Sequence, residues 1–302
     1  MQKKMPVRID RIVILHKLKK TEFVLNELRL KIIAKRYGVK VFKLKKDTGY
    51  RASFSFGTSQ GPVRISVERS FKNIFIKFDF KPNDLDDKAF LEFDDTTAIF
   101  GAGRLKLVLV TGSVSKVEIA VDFIGVDVRN YIYFKPHVHA SGSGSKRIGA
   151  TVYLGASQSQ KSFIFYNKAK APNATTKERT YPNLLRVEAR LSGCKITPVQ
   201  LSGITNPFLK IVISPVKTLK VLFAAKPSLV VAVSDCRFWG APRAFKMHPI
   251  AKQAISTAAK ANQAKWWKPA TVMRGWPSMV RAQLRFGLFG LAPALVAAAL
   301  HA

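Results

Sequence analysis

A tyrosine set among basic and acidic residues is the pattern in this chain best suited to chemistry. Tyr166 lies in KSFIFYNKAK, with Lys168 two residues further on. Two other segments, KVEIAVDF and NLLRVEARL, alternate polar and apolar residues with period two, as strands with one polar side do. In the first, Lys116, Glu118, Ala120 and Asp122 share a side and Val117, Ile119, Val121 and Phe123 take the other. In the second, Arg186, Glu188 and Arg190 oppose Leu185, Val187, Ala189 and Leu191. Placed side by side, three such strands would lay acid, phenol and base on one sheet face, with Tyr166 and Lys168 together on the middle one. A phenol among carboxylates and cations has the groups needed to break a phosphodiester covalently with metal help.

Strand geometry limits which acids could share an ion. Glu118 and Asp122 are roughly 13 Å apart on a regular strand, too far to bind one metal together. Glu118 with Glu188 is the expected ligand pair, with Asp122 as a supporting or alternate ligand. His137-Val138-His139 resembles the His-apolar-His metal motif of another class of rolling-circle nickases and relaxases, a resemblance that implies a rival metal site with both imidazoles on one strand face. Pro136 before it and ASGSGS after it suggest a strand end or loop. No P-loop, dinucleotide-binding glycine turn or Ser/His/Asp signature stands out, and SGSGS lacks the Lys-Ser/Thr that cradles nucleotide phosphates.

The composition points to a polyanionic partner. The 302 residues carry 51 Lys+Arg against 18 Asp+Glu, a formal net charge of +33, and such an excess repels itself in the compact state. Seven of the acids lie between Asp79 and Asp95, whereas after Glu188 only Asp235 remains against sixteen basic residues. Solubility alone does not require removing nearly every acid, so the last third reads as a phosphate-contacting surface. With 47% hydrophobic residues the chain can bury a core and is not a disordered basic tail. Cys194 and Cys236 are far apart and lack ligand spacing, which argues against a disulfide framework or zinc module and for a reducing cytosol. The N-terminus MQKKMPVRID has no apolar signal-peptide core.

The elements that must position these residues predict an α+β fold with a large, mainly antiparallel sheet, packed helices and a basic, helical C-terminal extension. VRIDRIVIL reads as the first strand, followed by a helix from about His16 to Tyr37. VKVFKLKK, YRASFSFG, VRISVER and NIFIKFDF are short, β-branched and aromatic, and separated by turn signals, which favours hairpins. LKLVLV reads as a strand, and KTLKVLFAA with SLVVAV as a last hairpin. Residues 1–217 are expected to form the principal domain and 218–302 the extension. Its end, FGLFGLAPALVAAALHA, is apolar for about fifteen residues, short of the roughly 18 to 20 that span a bilayer, and is expected to be a packed or loosely attached tail.

The order VRIDRIVIL, KVEIAVDF, TVYLGASQSQKSFIFYNKAK, LLRVEARL resembles the replication initiation factors of small plasmids and filamentous phages, which start rolling-circle replication. The matching positions are Glu118 and Asp122, Tyr153 through Ser159 leading to Tyr166-Asn167-Lys168, and Arg186-Val187-Glu188, within residues 6 to 192. The resemblance implies an enzyme that nicks and rejoins one DNA strand, with Tyr166 as nucleophile, Lys168 supporting its oxyanion, and carboxylates holding Mg²⁺ or Mn²⁺. The family commonly carries a glutamate soon after Tyr-Asn-Lys; here Glu178 is a distant substitute, and Glu118 stands where Asp is more usual.

The expected partner is origin DNA, single- and double-stranded, contacted by Lys161, Arg186 and Arg190. A host helicase and a second copy of the chain are further candidate partners, a membrane is not expected, and the implied location is the cytoplasm of a bacterial host. The alternatives are a non-catalytic basic DNA-binding or packaging protein of a phage or plasmid, and a membrane-associated basic phage protein using the apolar tail.

Overall fold

The structure is a computed structural model and describes residues 2–45, 48–58, 60–70, 73–100, 102–135, 146–156, 159–172 and 174–291. The chain begins with β1 (Lys3–Lys4) and β2 (Arg8–Leu18), followed by α1 (Phe23–Arg36). Next come β3 (Phe42–Lys43), β4 (Gly49–Phe54), β5 (Val63–Ser70) and β6 (Asn73–Phe80). Two helices, α2 (Asp87–Ile99) and α3 (Leu105–Thr111), precede β7 (Ser113–Ile124) and β8 (Tyr131–Phe134). β9 (Lys146–Ile148), β10 (Thr151–Leu154) and β11 (Lys161–Asn167) lead through one helical turn, α4 (Thr176–Arg179), into β12 (Leu184–Ile196). After β13 (Val212–Pro215) the chain is helical: α5 (Val216–Leu222), α6 (Pro227–Trp239), α7 (Ala241–Met247), α8 (Ala251–Ala261), α9 (Pro269–Val272) and α10 (Trp276–Gln283).

The fold is α+β, as the strand and helix patterns predict. Among the described residues, eleven strands form one antiparallel sheet in the order β3-β4-β5-β6-β2-β7-β12-β11-β10-β9, with β1 on β7, and β8 pairs with β13. The chain forms two compact units from interleaved segments. The first comprises Met1–Val7, Ala120–Arg190 and Thr205–Arg274, and the second comprises Arg8–Ile119, Leu191–Ile204 and Gly275–Ala302. The segment after residue 217 is therefore divided between them.

In the second unit, β4, β5, β6 and β2 form a meander whose registers include Ile65 opposite Phe78 and Ile14 opposite Phe78 on its other side. Their inward side chains meet a cluster of Phe54, Phe56, Phe78, Phe80, Phe90 and Phe93, with ring centroids 5.4–6.2 Å apart. Each fully buried phenylalanine contributes about 1.5–3 kcal/mol, so this cluster is a large part of that unit's core. Helix α2 starts at Asp86, whose carboxylate accepts from Ala89 N at 2.7 Å.

Three apolar runs read as strands are helices. In α3, Asp94 caps the first turn by accepting from Leu105 N at 2.6 Å. Leu105, Val108 and Leu109 are buried while Leu107 and Val110 are exposed, a helical period. α5 buries Val216 and Leu219, and α6 begins on Pro227 and buries Ala232, Val233 and Cys236. Short apolar runs do not distinguish strand from helix until their burial partners are present. The first helix is also shorter than expected: β2 continues through Leu18, and α1 begins only at Phe23.

The first unit packs the apolar side of its sheet strands on aromatic side chains. Phe123 lies 4.6 Å from Trp266 and 5.8 Å from Trp267, Phe163 lies 6.2 Å from Phe208, and Phe165 lies 4.6 Å from Tyr133. β8, β13 and helices α5–α8 share a further core that includes Phe134, Leu219, Val233, Phe245 and Ile255. Consuming one face of β7, β11 and β12 in this way leaves the polar side chains gathered on the other.

Candidate active site

The polar side of these strands is buried rather than solvated. Asp122 is 0% exposed, Glu188 and Arg186 are each 2% exposed, and Lys168 is 4% exposed. Charges so placed require partners, because desolvating an unpaired one costs several kcal/mol. Arg186 supplies a two-pronged contact to Asp122, with Nε to Oδ1 at 2.8 Å and Nη2 to Oδ2 at 2.9 Å. Nη2 also donates to Glu178 Oε1 at 3.2 Å, and Lys168 Nζ lies 3.5 Å from Glu178 Oε2. Further along β12, Arg190 Nε donates to Glu188 Oε1 at 2.6 Å, and the Tyr166 hydroxyl donates to Glu188 Oε2 at 3.4 Å.

Three carboxylates and three cations thus pair with one another, and the Tyr166 phenol touches one of them, Glu188. Of the cations, Arg190 is the accessible one, with 38% of its side chain exposed. Tyr166 and Arg190 open on a cavity of about 420 Å³, lined also by Tyr153, Asn167, Lys170 and Thr151. The β10–β11 register sets Tyr153 opposite Ile164, so Tyr153, Ile164 and Tyr166 share this face. An extended phosphodiester reaching Tyr166 would meet Lys170 and the accessible Arg190, whose guanidinium is paired with Glu188.

Several expected residues take different positions. β11 ends at Asn167, whose side chain accepts from Ala169 N at 3.1 Å and turns Lys168–Lys170 into a 3₁₀ turn. Lys168 therefore leaves the strand face it was expected to share with Tyr166 and reaches Glu178. Arg186, expected at the DNA, has its charge satisfied inside the protein by Asp122 and Glu178. Lys161 is half-buried over the Phe163 ring at 5.6 Å, on the opposite side of β11 from Tyr166. Burial, and then the neighbouring Lys135 and Lys210 charges, hold its ammonium below the usual lysine range. Glu118 pairs with Lys116 at 2.5 Å. His137 and His139 lie outside the described residues.

The residues do not fit a divalent ion as they stand. Among the described residues no three His, Cys, Asp or Glu side chains gather closely enough to hold a metal. Each expected carboxylate ligand instead has a cation against it: Lys116 at Glu118, Arg186 at Asp122 and Arg190 at Glu188. A metal at Glu188 would first require Arg190 to leave.

Other nucleophiles are less suited. Burial pushes the Cys236 thiol up to about 12, so it holds little thiolate at neutral pH. Tyr133 is buried, donates its hydroxyl to Val128 O at 2.9 Å, and is raised well above the usual tyrosine range by burial. Tyr153 and Lys170 were not singled out as site residues from sequence, and the hairpin register and the turn after Asn167 are what bring them in. Glu178 is held by a capping box, in which Thr175 Oγ1 accepts from Glu178 N and Glu178 Oε2 accepts from Thr175 N.

No helix among the described residues is long and apolar enough to cross a membrane. No family model matches the chain, and no curated protein matches it.

Proposed function

We propose that the chain is a DNA strand-nicking and joining enzyme acting through Tyr166, and that it serves as a rolling-circle replication initiator. The observation that carries this reading is the Tyr166 hydroxyl set 3.4 Å from the buried Glu188 at the mouth of a cavity lined by Arg190 and Lys170. In the proposed reaction the phenol oxygen attacks the phosphorus of one strand and its proton passes to Glu188. The Tyr–O–P bond forms as the bond from phosphorus to the 3′ oxygen breaks, and that oxygen takes the proton back from Glu188 and leaves as a 3′ hydroxyl. Arg190 and Lys170 stabilise the added negative charge on the phosphoryl oxygens. Attack by a 3′ hydroxyl on the phosphotyrosine reverses the steps and rejoins the strand.

Asp122, Arg186, Glu178 and Lys168 hold the strands and the turn beneath the phenol, and act on the reaction only through that scaffold. Mg²⁺ or Mn²⁺ enters the proposal as a condition of the assay, with no step routed through it. The test is incubation with single-stranded and supercoiled origin DNA, with and without either ion, followed by mass spectrometry of a nucleotide adduct on Tyr166.

The non-catalytic alternative, a basic DNA-binding or packaging protein, draws on the complete pairing of the three carboxylates, which a purely structural cluster would also show. That reading predicts DNA binding without an adduct under any of these conditions.

A further inference from the structure

A second cavity, of about 590 Å³, lies elsewhere in the first unit, where α5 faces the start of β8 and the last turn of α6. Lys217, Lys220 and Val221 stand at i, i+3 and i+4, so one side of α5 lines the cavity while Val216 and Leu219 enter the core. Tyr131 and Arg237 form the other wall. No acidic side chain among the described residues lines it.

Two of these groups are held in place. The Tyr131 hydroxyl accepts from Trp266 Nε1 at 3.1 Å, and the two rings meet edge to face at 5.3 Å. Arg237 Nε donates to the backbone oxygen of Arg129 at 3.0 Å, which orients the guanidinium without cancelling its charge. The same guanidinium lies 5.9 Å from the ring of Phe238, which is 65% exposed, and next along the chain Arg243 lies 4.4 Å from the 44% exposed Trp239. Exposed aromatic faces alternating with arginine are unsuited to bulk water and suited to stacked bases with phosphates between them.

We propose that this cavity and the Phe238–Trp239 edge bind single-stranded nucleic acid, with a nucleotide base against Tyr131 and its phosphates at Lys217, Lys220 and Arg237. The volume lies in the range that encloses a small molecule or one nucleotide. A duplex keeps its bases stacked inside and would offer phosphates to the lysines but no ring to Tyr131. The inference rests on the nucleic-acid partner of the proposed function and is independent of the nicking step.

The test uses the full chain and a fluorescent fifteen-residue oligothymidylate, read by anisotropy across a salt series. Lys217→Ala with Lys220→Ala removes two side chains that point away from the core. It should weaken binding roughly 10-fold at 0.15 M salt and make the log–log salt slope shallower by about 1.4, since each single-strand phosphate contact contributes about 0.7. A photoactivatable 4-thiothymidine in the same oligonucleotide should crosslink to Tyr131 or Phe238. Unchanged affinity and slope in the double variant would overturn the proposal. So would a loss confined to anionic lipid vesicles or to duplex DNA. Absence of nicking by the wild-type chain, with the binding defect of the double variant present, would sink only the catalytic reading.

Discussion

The two compact units use their acidic residues differently. The second holds 13 acids against 26 basic residues, and the first holds 5 against 25. In the second unit the acids close local structure. Asp86 caps α2, Asp94 caps α3 and holds Arg104 at 2.8 Å, Glu92 accepts from Gly57 N at 2.6 Å, and Asp79 clamps Arg11 at 2.6–2.7 Å. Backbone donors, one arginine each at Asp94 and Asp79, and the Thr58 hydroxyl at Asp86 make these contacts. In the first unit, Asp122 of β7 and Glu178 of α4 meet on Arg186 of β12, and Glu188, two residues further along β12, pairs with Arg190 and accepts from Tyr166. Of the five acids in this unit of net charge +20, one, Glu188, thus accepts from the Tyr166 phenol. Fold closure accounts for these four acids of the second unit, whereas Glu188 of the first also accepts from a phenol that opens on a cavity, which is why the site is assigned there.

Breaking the buried pair should have the largest effect. Arg186→Met leaves Asp122 buried without its two-pronged partner and should cost about 3–5 kcal/mol in urea unfolding. Adding Asp122→Leu should recover much of that loss, because the uncompensated charge goes with it. If the single variant is as stable as wild type, the cluster is not the structural support described here.

Glu188→Gln keeps the shape but removes the proton acceptor. It should lower the nicking rate by roughly 10² or more, at the low end of what general-base groups contribute, with the fold retained. Equal losses of nicking and of thermal stability would reassign Glu188 to the scaffold. In the second unit, Asp94→Ala removes the cap of α3 and the Arg104 contact and should cost about 2 kcal/mol, with nicking by the folded fraction unchanged. A nicking defect there would erase the contrast between the units.

The smallest effect concerns His16 on β2, whose Nδ1 is buried without a hydrogen-bond partner among the described residues. Burial holds its pKa below the usual histidine value, with Glu22 opposing part of that shift. The unfolded chain therefore binds the proton first as pH falls. The stability contribution is complete above about pH 6.5 and declines below it toward the folded-state pKa. Thermal unfolding at pH 7.5 and 5.5 should show a smaller drop for His16→Gln than for wild type; identical drops would refute the assignment.

Much of the first unit's sheet was legible because β7 and β12 alternate polar and apolar residues and β11 is a short run of β-branched and aromatic residues. The pattern did not reveal that the polar side is buried too, since burial there depends on Arg186 answering Asp122 across strands. Lys168 was misplaced because an Asn side chain, Asn167, stops the strand one residue early. Glu178 looked distant in sequence and is brought in by the turn and capping box that follow. α3, α5 and α6 were hidden because a run of four to six apolar residues satisfies either period until tertiary packing decides. His137 and His139 lie outside the described residues, so the rival metal motif keeps its standing as a sequence reading.

The central claim is that the Tyr166 oxygen becomes covalently joined to a DNA 5′ phosphate. The most direct measurement is tryptic mass spectrometry after incubation with labelled single-stranded origin DNA, run in parallel on wild type and Tyr166→Phe. The account predicts a nucleotide adduct on the peptide containing Tyr166 in wild type and none in the variant, with DNA binding equal in both. An adduct on another residue, or one that persists in Tyr166→Phe, would contradict it.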